Sequence, residues 1–84
     1  MLMGFNTDIK HEGITYHVQT EPRKDARIET TVYSGGAVIH RLKVSYQDLL
    51  DSPDCREEEI KQRIKDQHRQ VIARVRGGEI KSPT

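Results

Sequence analysis

Four histidines, His11, His17, His40 and His68, and one cysteine, Cys55, are the side chains of this sequence best suited to metal binding or acid–base work. Their spacing matches no recognised ligand set. No second histidine follows His11-Glu12 at the four-residue distance of the zinc-protease helix, and a single cysteine excludes both an internal disulfide and a four-cysteine zinc site. No serine sits in a nucleophile-elbow pattern, and Gly35-Gly36 lacks the Lys-Ser/Thr sequel of a phosphate-binding loop. The expectation is a chain with no cofactor, no bound metal and no catalytic residue, leaning away from an enzyme.

Two of these groups carry a sharper alternative. Strand register puts His40 on the core-facing side of a sheet, and a helical stripe aims His68 at the same layer, so the two could meet. The plainer reading is a pair of core-edge histidines satisfied by hydrogen bonds; the sharper one is a metal or proton-transfer site completed by a carboxylate. Cys55 falls in the first turn of the expected main helix, where backbone N–H groups and Arg56 favour a thiolate while Asp54 and Glu57 to Glu59 oppose it. An ordinary boundary cysteine is the preferred reading.

The segment from Lys61 to Lys81 carries Lys61, Arg63, Lys65, Arg69, Arg74, Arg76 and Lys81 against Asp66 and Glu79, seven cations to two carboxylates. The first six are candidate nucleic-acid contacts if they share one exposed stripe with a basic neighbour such as Lys43. Solvated helix charge is the commoner meaning of such a run, so nucleic acid is a possible partner and not the favoured one.

The elements that must position these residues follow from a change of period near Tyr46. Before it, alternating segments rich in Thr, Val, Ile and Tyr predict four strands at about 4–10, 13–20, 27–34 and 37–45. A first turn at Lys10-His11-Glu12-Gly13 pairs Ile9 with Ile14, Thr7 with Tyr16 and Phe5 with Val18. The second connection, Pro22 to Ala26, reads as a flexible polar loop. The third turn has two solutions. A two-residue Gly35-Gly36 turn pairs Val32 with Ile39 and splits the apolar residues between faces, whereas a three-residue turn with a glycine bulge pairs Val32 with His40, Thr30 with Leu42 and Ile28 with Val44. The bulged register is favoured because it collects the apolar residues on one side.

After the strands, Ser45-Tyr46-Gln47-Asp48 resembles a capping box and starts one helical turn over about 46–50. Ser52 as N-cap and Pro53 at the first helical position then predict a main helix over about 53–76, with Ile60, Ile64, His68, Val71 and Val75 in one stripe and Gly77-Gly78 as the stop. Glu57 to Glu59 at its start and Arg74 and Arg76 at its end complement the helix dipole, and Glu57–Lys61 and Glu59–Arg63 form favourable pairs. The fold class is therefore α+β: a four-stranded antiparallel meander with one long C-terminal helix on one face, in order ββββα, and a short helical turn between. A single domain over 1–84 is expected, with a tail at 77–84.

Length and composition bound what such a domain does. A chain of 84 residues without Trp draws its core from a modest set of Ile, Val and Leu. Fourteen Lys and Arg against thirteen Asp and Glu leave a net charge of +1, so no global field points to nucleic acid or membrane. The start, Met1-Leu2-Met3-Gly4-Phe5, has neither the basic flank nor the apolar run of a signal peptide, and no stretch reaches the ~20 apolar residues of a membrane span. A cytoplasmic location is expected, with no membrane partner. A helix of about 24 residues would be ~36 Å long, longer than the strands beneath it. Val71 and Val75 are then expected to overhang the sheet, to be exposed in a monomer and to serve self-association in a homodimer. On the free face, Tyr33 paired with Ile39 beside Ala37 makes a second candidate protein contact.

The stretch Gly4 to Glu21, GFNTDIKHEGITYHVQTE, resembles the opening of a family of small uncharacterised bacterial proteins. Ile28-Glu29-Thr30 through Gly35-Gly36, Ser45-Tyr46 with Leu49-Leu50, and Gln67-His68-Arg69 are similar to it too. The resemblance implies a bacterial cytoplasmic protein and transfers no functional residue. The leading expectation is a noncatalytic protein-interaction module, homodimeric or bound to another protein.

Overall fold

The computed structural model describes residues 2–83; Met1 and Thr84, the two ends of the expected domain, lie outside the described residues. Four antiparallel strands form one sheet in the order β1 (Phe5–His11), β2 (Ile14–Arg23), β3 (Arg27–Ser34) and β4 (Ala37–Ser45). A short helix α1 (Gln47–Leu50) and a long helix α2 (Glu57–Arg76) follow. The fold is α+β, with α2 laid across β1, β2 and β3.

Turn chemistry sets the strand registers. Glu12 and Gly13 both take positive φ, 51° and 80°, which closes β1 and β2 by a two-residue turn. Ile9 therefore pairs with Tyr16, Thr7 with Val18 and Phe5 with Thr20, two residues away from the register expected from a four-residue turn. A shift of two preserves the face of every side chain, so the core assignment survives the correction. Gly35 and Gly36, at φ 59° and 82°, also make a two-residue turn. The bulge lies beyond it, opposite the Val32/Tyr33 step, so Val32–His40, Thr30–Leu42 and Ile28–Val44 pair as the favoured register requires, while Tyr33 faces Val38 and not Ile39.

The second connection is tighter than a flexible loop. Pro22 belongs to β2 opposite Ile28, and only Lys24 to Ala26 turn. Asp25 and Ala26 take positive φ, and the Ala26 carbonyl accepts the Tyr46 N–H at 2.7 Å, which ties the start of α1 to this turn. A left-handed alanine costs roughly 1–2 kcal/mol; burial of its methyl beside Ile28, Tyr46, Ile60 and Ile64 offsets part of that.

The main helix begins later than its Ser-Pro signal suggests. Ser52 to Asp54 form turns, Arg56 is the N-cap without a side-chain capping bond, and α2 runs for 20 residues, about 30 Å. Strands of 8 to 10 residues span roughly 27 to 34 Å. The lengths match, so no overhang exists: Val71 and Val75 are fully buried. Gly78 at φ 78° lets the Glu79 N–H reach the Arg74 carbonyl and its own N–H reach that of Val75, and this turn-back delivers Ile80 into the core with Val71 and Val75. The Glu57–Lys61 pair is present at 4.0 Å, whereas Arg63 turns to Asp48 at 3.1 Å rather than to Glu59.

Two apolar clusters fill the space under α2. One joins Ile9, Tyr16, Val18, Val32, Val71, Val75 and Ile80; the other joins Ala26, Ile28, Tyr46, Ile60 and Ile64. Ile64 is fully buried at the centre of the second. Truncation of Ile64 to Ala removes three carbons there and is expected to lower stability by about 2–5 kcal/mol, against about 0.5–1.5 kcal/mol for Ile64→Val. Urea unfolding followed by circular dichroism measures both; equal, small losses would place the helix off the sheet.

Candidate functional site

His68 lies between the two apolar clusters, on the helical stripe where sequence put it. Thr20 and Thr30 face each other across β2 and β3, and their hydroxyls are 2.8 Å apart. His68 Nδ1 is 2.7 Å from Thr20 Oγ1 and its Nε2 is 2.8 Å from Thr7 Oγ1 on β1. Gln67 Nε2 donates to Thr30 Oγ1 and to the Ile28 carbonyl at 3.0 and 3.1 Å.

The Nε2 of Gln67 can only donate, and from it one order of the chain lets Thr30 and Thr20 each accept one bond and donate the next. Thr30, accepting from Gln67, donates to Thr20, which donates to His68 Nδ1; Nε2–H then donates to Thr7. This order requires a neutral ring. A proton on Nδ1 would leave a threonine hydroxyl without an acceptor. Burial works in the same sense and pushes the His68 pKa below its ordinary 6.5. Phe5 stacks on the ring, 5.6 Å between centroids. Both nitrogens of His68 are thus used by threonines, while His40 sits on β4 opposite Val32 with its Nε2 buried and without a partner. The two histidines do not share a site.

The opposite face of the sheet is uncovered and strongly charged. An open cleft of about 600 Å3 is lined by Pro22, Arg23, Lys24, Arg27, Glu29, Arg41 and Lys43. Five cations line it with one carboxylate, and a second, Glu21, pairs with Arg23 at 3.1 Å beside it. Arg23 donates to Glu29 Oε1 through Nε and Nη2 at 3.2 and 2.9 Å, and Glu29 Oε2 faces Lys43 at 3.7 Å and Arg41 at 3.9 Å. The Arg23 hydrogen bond is the main cause holding the Glu29 carboxyl below the usual range, with burial opposing it and the charges of Arg23, Lys43 and Arg41 adding to it. Lys24 and Arg27 have no carboxylate partner among the described residues. Further along the same face, His17 bonds Asp8 at 2.6 Å and its ring lies 6.0 Å from that of Tyr33.

Strand β4 is where this face meets an open edge. It pairs with β3 alone among the described strands, and α2 packs on β1, β2 and β3. On the helix side, Ile39, Leu42 and Val44 are consequently only half-buried, and Ile39 and Leu42 lean on the first apolar cluster. On the other side Arg41 and Lys43 are half-exposed.

The expected contact residues fall differently from their sequence assignment. Tyr33 remains on the uncovered face, but its cross-strand neighbour is Val38, 46% exposed; Ile39 packs against the core, and Ala37 pairs with Ser34 on the helix side. Val71 and Val75 are inaccessible to a partner. Among the helix cations, Lys61, Arg63 and Arg74 are paired with Glu57, Asp48 and Glu79, and Lys65, Arg69 and Arg76 are exposed without carboxylate partners among the described residues. Lys43 lies on the sheet face away from α2 and shares no stripe with them. Cys55 precedes α2, and burial, then Glu59 and Asp48, push its thiol pKa up rather than down.

The cleft itself was missed because Pro22 to Ala26 read as a loop, which took Arg23 off the sheet. Its signal is parity: Arg23, Arg27, Glu29, Arg41 and Lys43 all alternate onto the face away from Val18, Ile28 and Val32.

Among the described residues no three His, Cys, Asp or Glu side chains converge into a metal-binding group, and no helix is long and apolar enough to cross a membrane. Comparison with known proteins found no matching family model, no matching curated protein and no matching solved structure.

The depressed His68 pKa makes stability depend on pH with a definite sign. Above about pH 6.5 the ring is neutral in folded and unfolded chains alike; as pH falls below 6.5 the unfolded chain takes up the proton first, so stability drops until the buried ring protonates as well. Urea midpoints measured from pH 7.5 to 5 are expected to fall for the wild type and to fall less for His68→Gln. Parallel curves would show that another group carries the loss.

Proposed function

We propose that the protein is a noncatalytic interaction module that contacts a partner protein through the uncovered sheet face and the β4 edge. The observation that carries this is the asymmetric cover: α2 occupies β1 to β3, so β4 is left with an unpaired backbone edge, a half-buried apolar row on one side and two cations on the other. An open strand edge flanked by apolar surface is a site of strand addition in many recognition domains. The expected pairing of His40 with His68 does not form, since both nitrogens of His68 bond threonines and His40 has no hydrogen-bond or ion-pair partner at its Nε2 among the described residues.

Self-association is the second reading, favoured by the half-covered Ile39, Leu42 and Val44 row, which a second copy would bury. Antiparallel pairing of β4 with its own copy centred near Arg41 and Leu42, the registers of greatest overlap, sets Arg41 and Lys43 of one chain directly or diagonally opposite those of the other, and like charges in such positions are destabilising. Another protein is therefore placed first. A cytoplasmic setting and a bacterial origin belong to the same reading and rest on sequence alone.

Site-directed photo-cross-linking in cell extract tests the surface. A photo-reactive phenylalanine analogue at Val38 or Ser45, on the sheet face and β4, is expected to give protein adducts, whereas the same probe at Arg69, on the exposed side of α2, gives none. Adducts from Arg69 alone, or adducts that consist of nucleic acid, would overturn the assignment.

A further inference from the structure

The chemistry of the two sides of β4 specifies what kind of segment pairs with it. We propose that β4 accepts an extended acidic segment of the partner as a fifth strand, with carboxylates at alternate positions against Arg41 and Lys43 and apolar side chains between them over Leu42 and Val44. The inference rests on the reading of β4 as the contact edge and adds the partner's chemistry to it.

Glu29 supplies the internal template. It lies directly opposite Lys43 on the inner neighbour β3, and its carboxylate faces both Lys43 and Arg41. A strand added on the outer side of β4 lies at the same ~4.8 Å spacing and sets a residue of the same face opposite each of these cations. Lys43 has three N–H donors and Arg41 five, and one carboxylate shared at 3.7 and 3.9 Å leaves most of them free. The cleft behind them keeps Lys24 and Arg27 without carboxylate partners, so the region stays net positive after Glu29 is counted.

The other side of β4 asks for apolar groups. Leu42 and Val44 are only half-buried at the margin of α2, and a strand that alternates acid with Val, Ile or Leu sends its apolar residues to that side by the two-residue period. The charge pattern also selects against the competing occupants. A second copy presents cations to cations. A nucleic acid would meet Arg41 and Lys43 but has no alternating aliphatic side chains for Leu42 and Val44 and no peptide backbone to extend the ladder at the open edge.

The test uses the full chain and three labelled synthetic peptides in fluorescence anisotropy: one alternating Glu with Val, one of identical composition with its Glu and Val residues in separate blocks, and the alternating one with Lys in place of Glu. The alternating acidic peptide is expected to bind at least tenfold more tightly than either other, to lose about tenfold in affinity in Arg41→Gln/Lys43→Gln, and to shift the backbone amide resonances of residues 40–45 in the wild-type protein. That spectrum does not depend on the variant folding. Equal binding of the blocked peptide would reduce the contact to bulk charge and overturn strand addition; tighter binding of a single-stranded oligonucleotide, or a dimer formed through β4 without peptide, would overturn the acidic segment as occupant. If the peptides fail while photo-adducts still form at Val38 and Ser45, the edge remains the contact surface and only its partner chemistry is wrong.

Discussion

The seam of hydrogen bonds from Thr7 through His68, Thr20, Thr30 and Gln67 to the Ile28 carbonyl fixes where the helix lies, and the rest of the molecule follows from it. Apolar contacts alone are nondirectional, and a stripe of Ile and Val tolerates sliding along a flat sheet. A buried polar chain does not, because each group displaced from its partner costs about 1–3 kcal/mol. Gln67 and His68 sit side by side on α2 and reach different strands, one to β3 and the other to β1 and β2. That pair of reaches sets both the position of α2 along the strands and its position across them.

The position across the strands produces the open edge. Centred by bonds to β1, β2 and β3, a single helix has no width left for β4. A longer, purely apolar stripe would let the helix rock toward β4 and bury Leu42 and Val44 better, at the expense of β1. Specificity of placement is gained here at the cost of some apolar cover, and the uncovered strand is the one that carries Arg41 and Lys43. On the proposed reading stability and recognition share one cause: the polar band that divides the core into two clusters also centres α2 away from the edge strand β4.

Much of this was legible in the sequence, and the misses have local reasons. Four strands, the order ββββα, the stripe Ile60, Ile64, His68, Val71 and Val75 and the register of β3 with β4 follow from period and parity, which tertiary packing reinforces. Turn residues were harder to read. Glu12 at positive φ is not a residue that announces a two-residue turn, and Gly35-Gly36 is compatible with a turn of two or three residues, so the bulge position was hidden. Ser52-Pro53 is a strong helix-start signal that lost to the tether of α1 on the Ala26 carbonyl, which holds the chain in turns until Arg56. A start four residues later removed the overhang and with it the exposed valines. The cleft was invisible for a simpler reason: Pro22 in a strand reads as a break, yet it lies beyond the last β1–β2 pair, Phe5 with Thr20, where β2 has no neighbour on that side.

Charge placement bears on how an open edge avoids indiscriminate pairing. Long uncovered strands invite indiscriminate pairing, and cations together with a bulge are the usual protection. Here both are present on β4, with Ile39 as the bulged residue. Five cations in a cleft of this size would also repel one another and splay into solvent. Glu29 prevents that: 12% exposed on its side chain, it gathers Arg23, Arg41 and Lys43 around one carboxylate and so holds their donors in place before any partner arrives. The organisation lowers the side-chain entropy that binding must still remove. It also limits the field to short range, since beyond ~8 Å at physiological salt these charges are screened. On the proposed reading a partner is discriminated on contact, by the alternation of its side chains against β4, rather than drawn in from a distance by net charge.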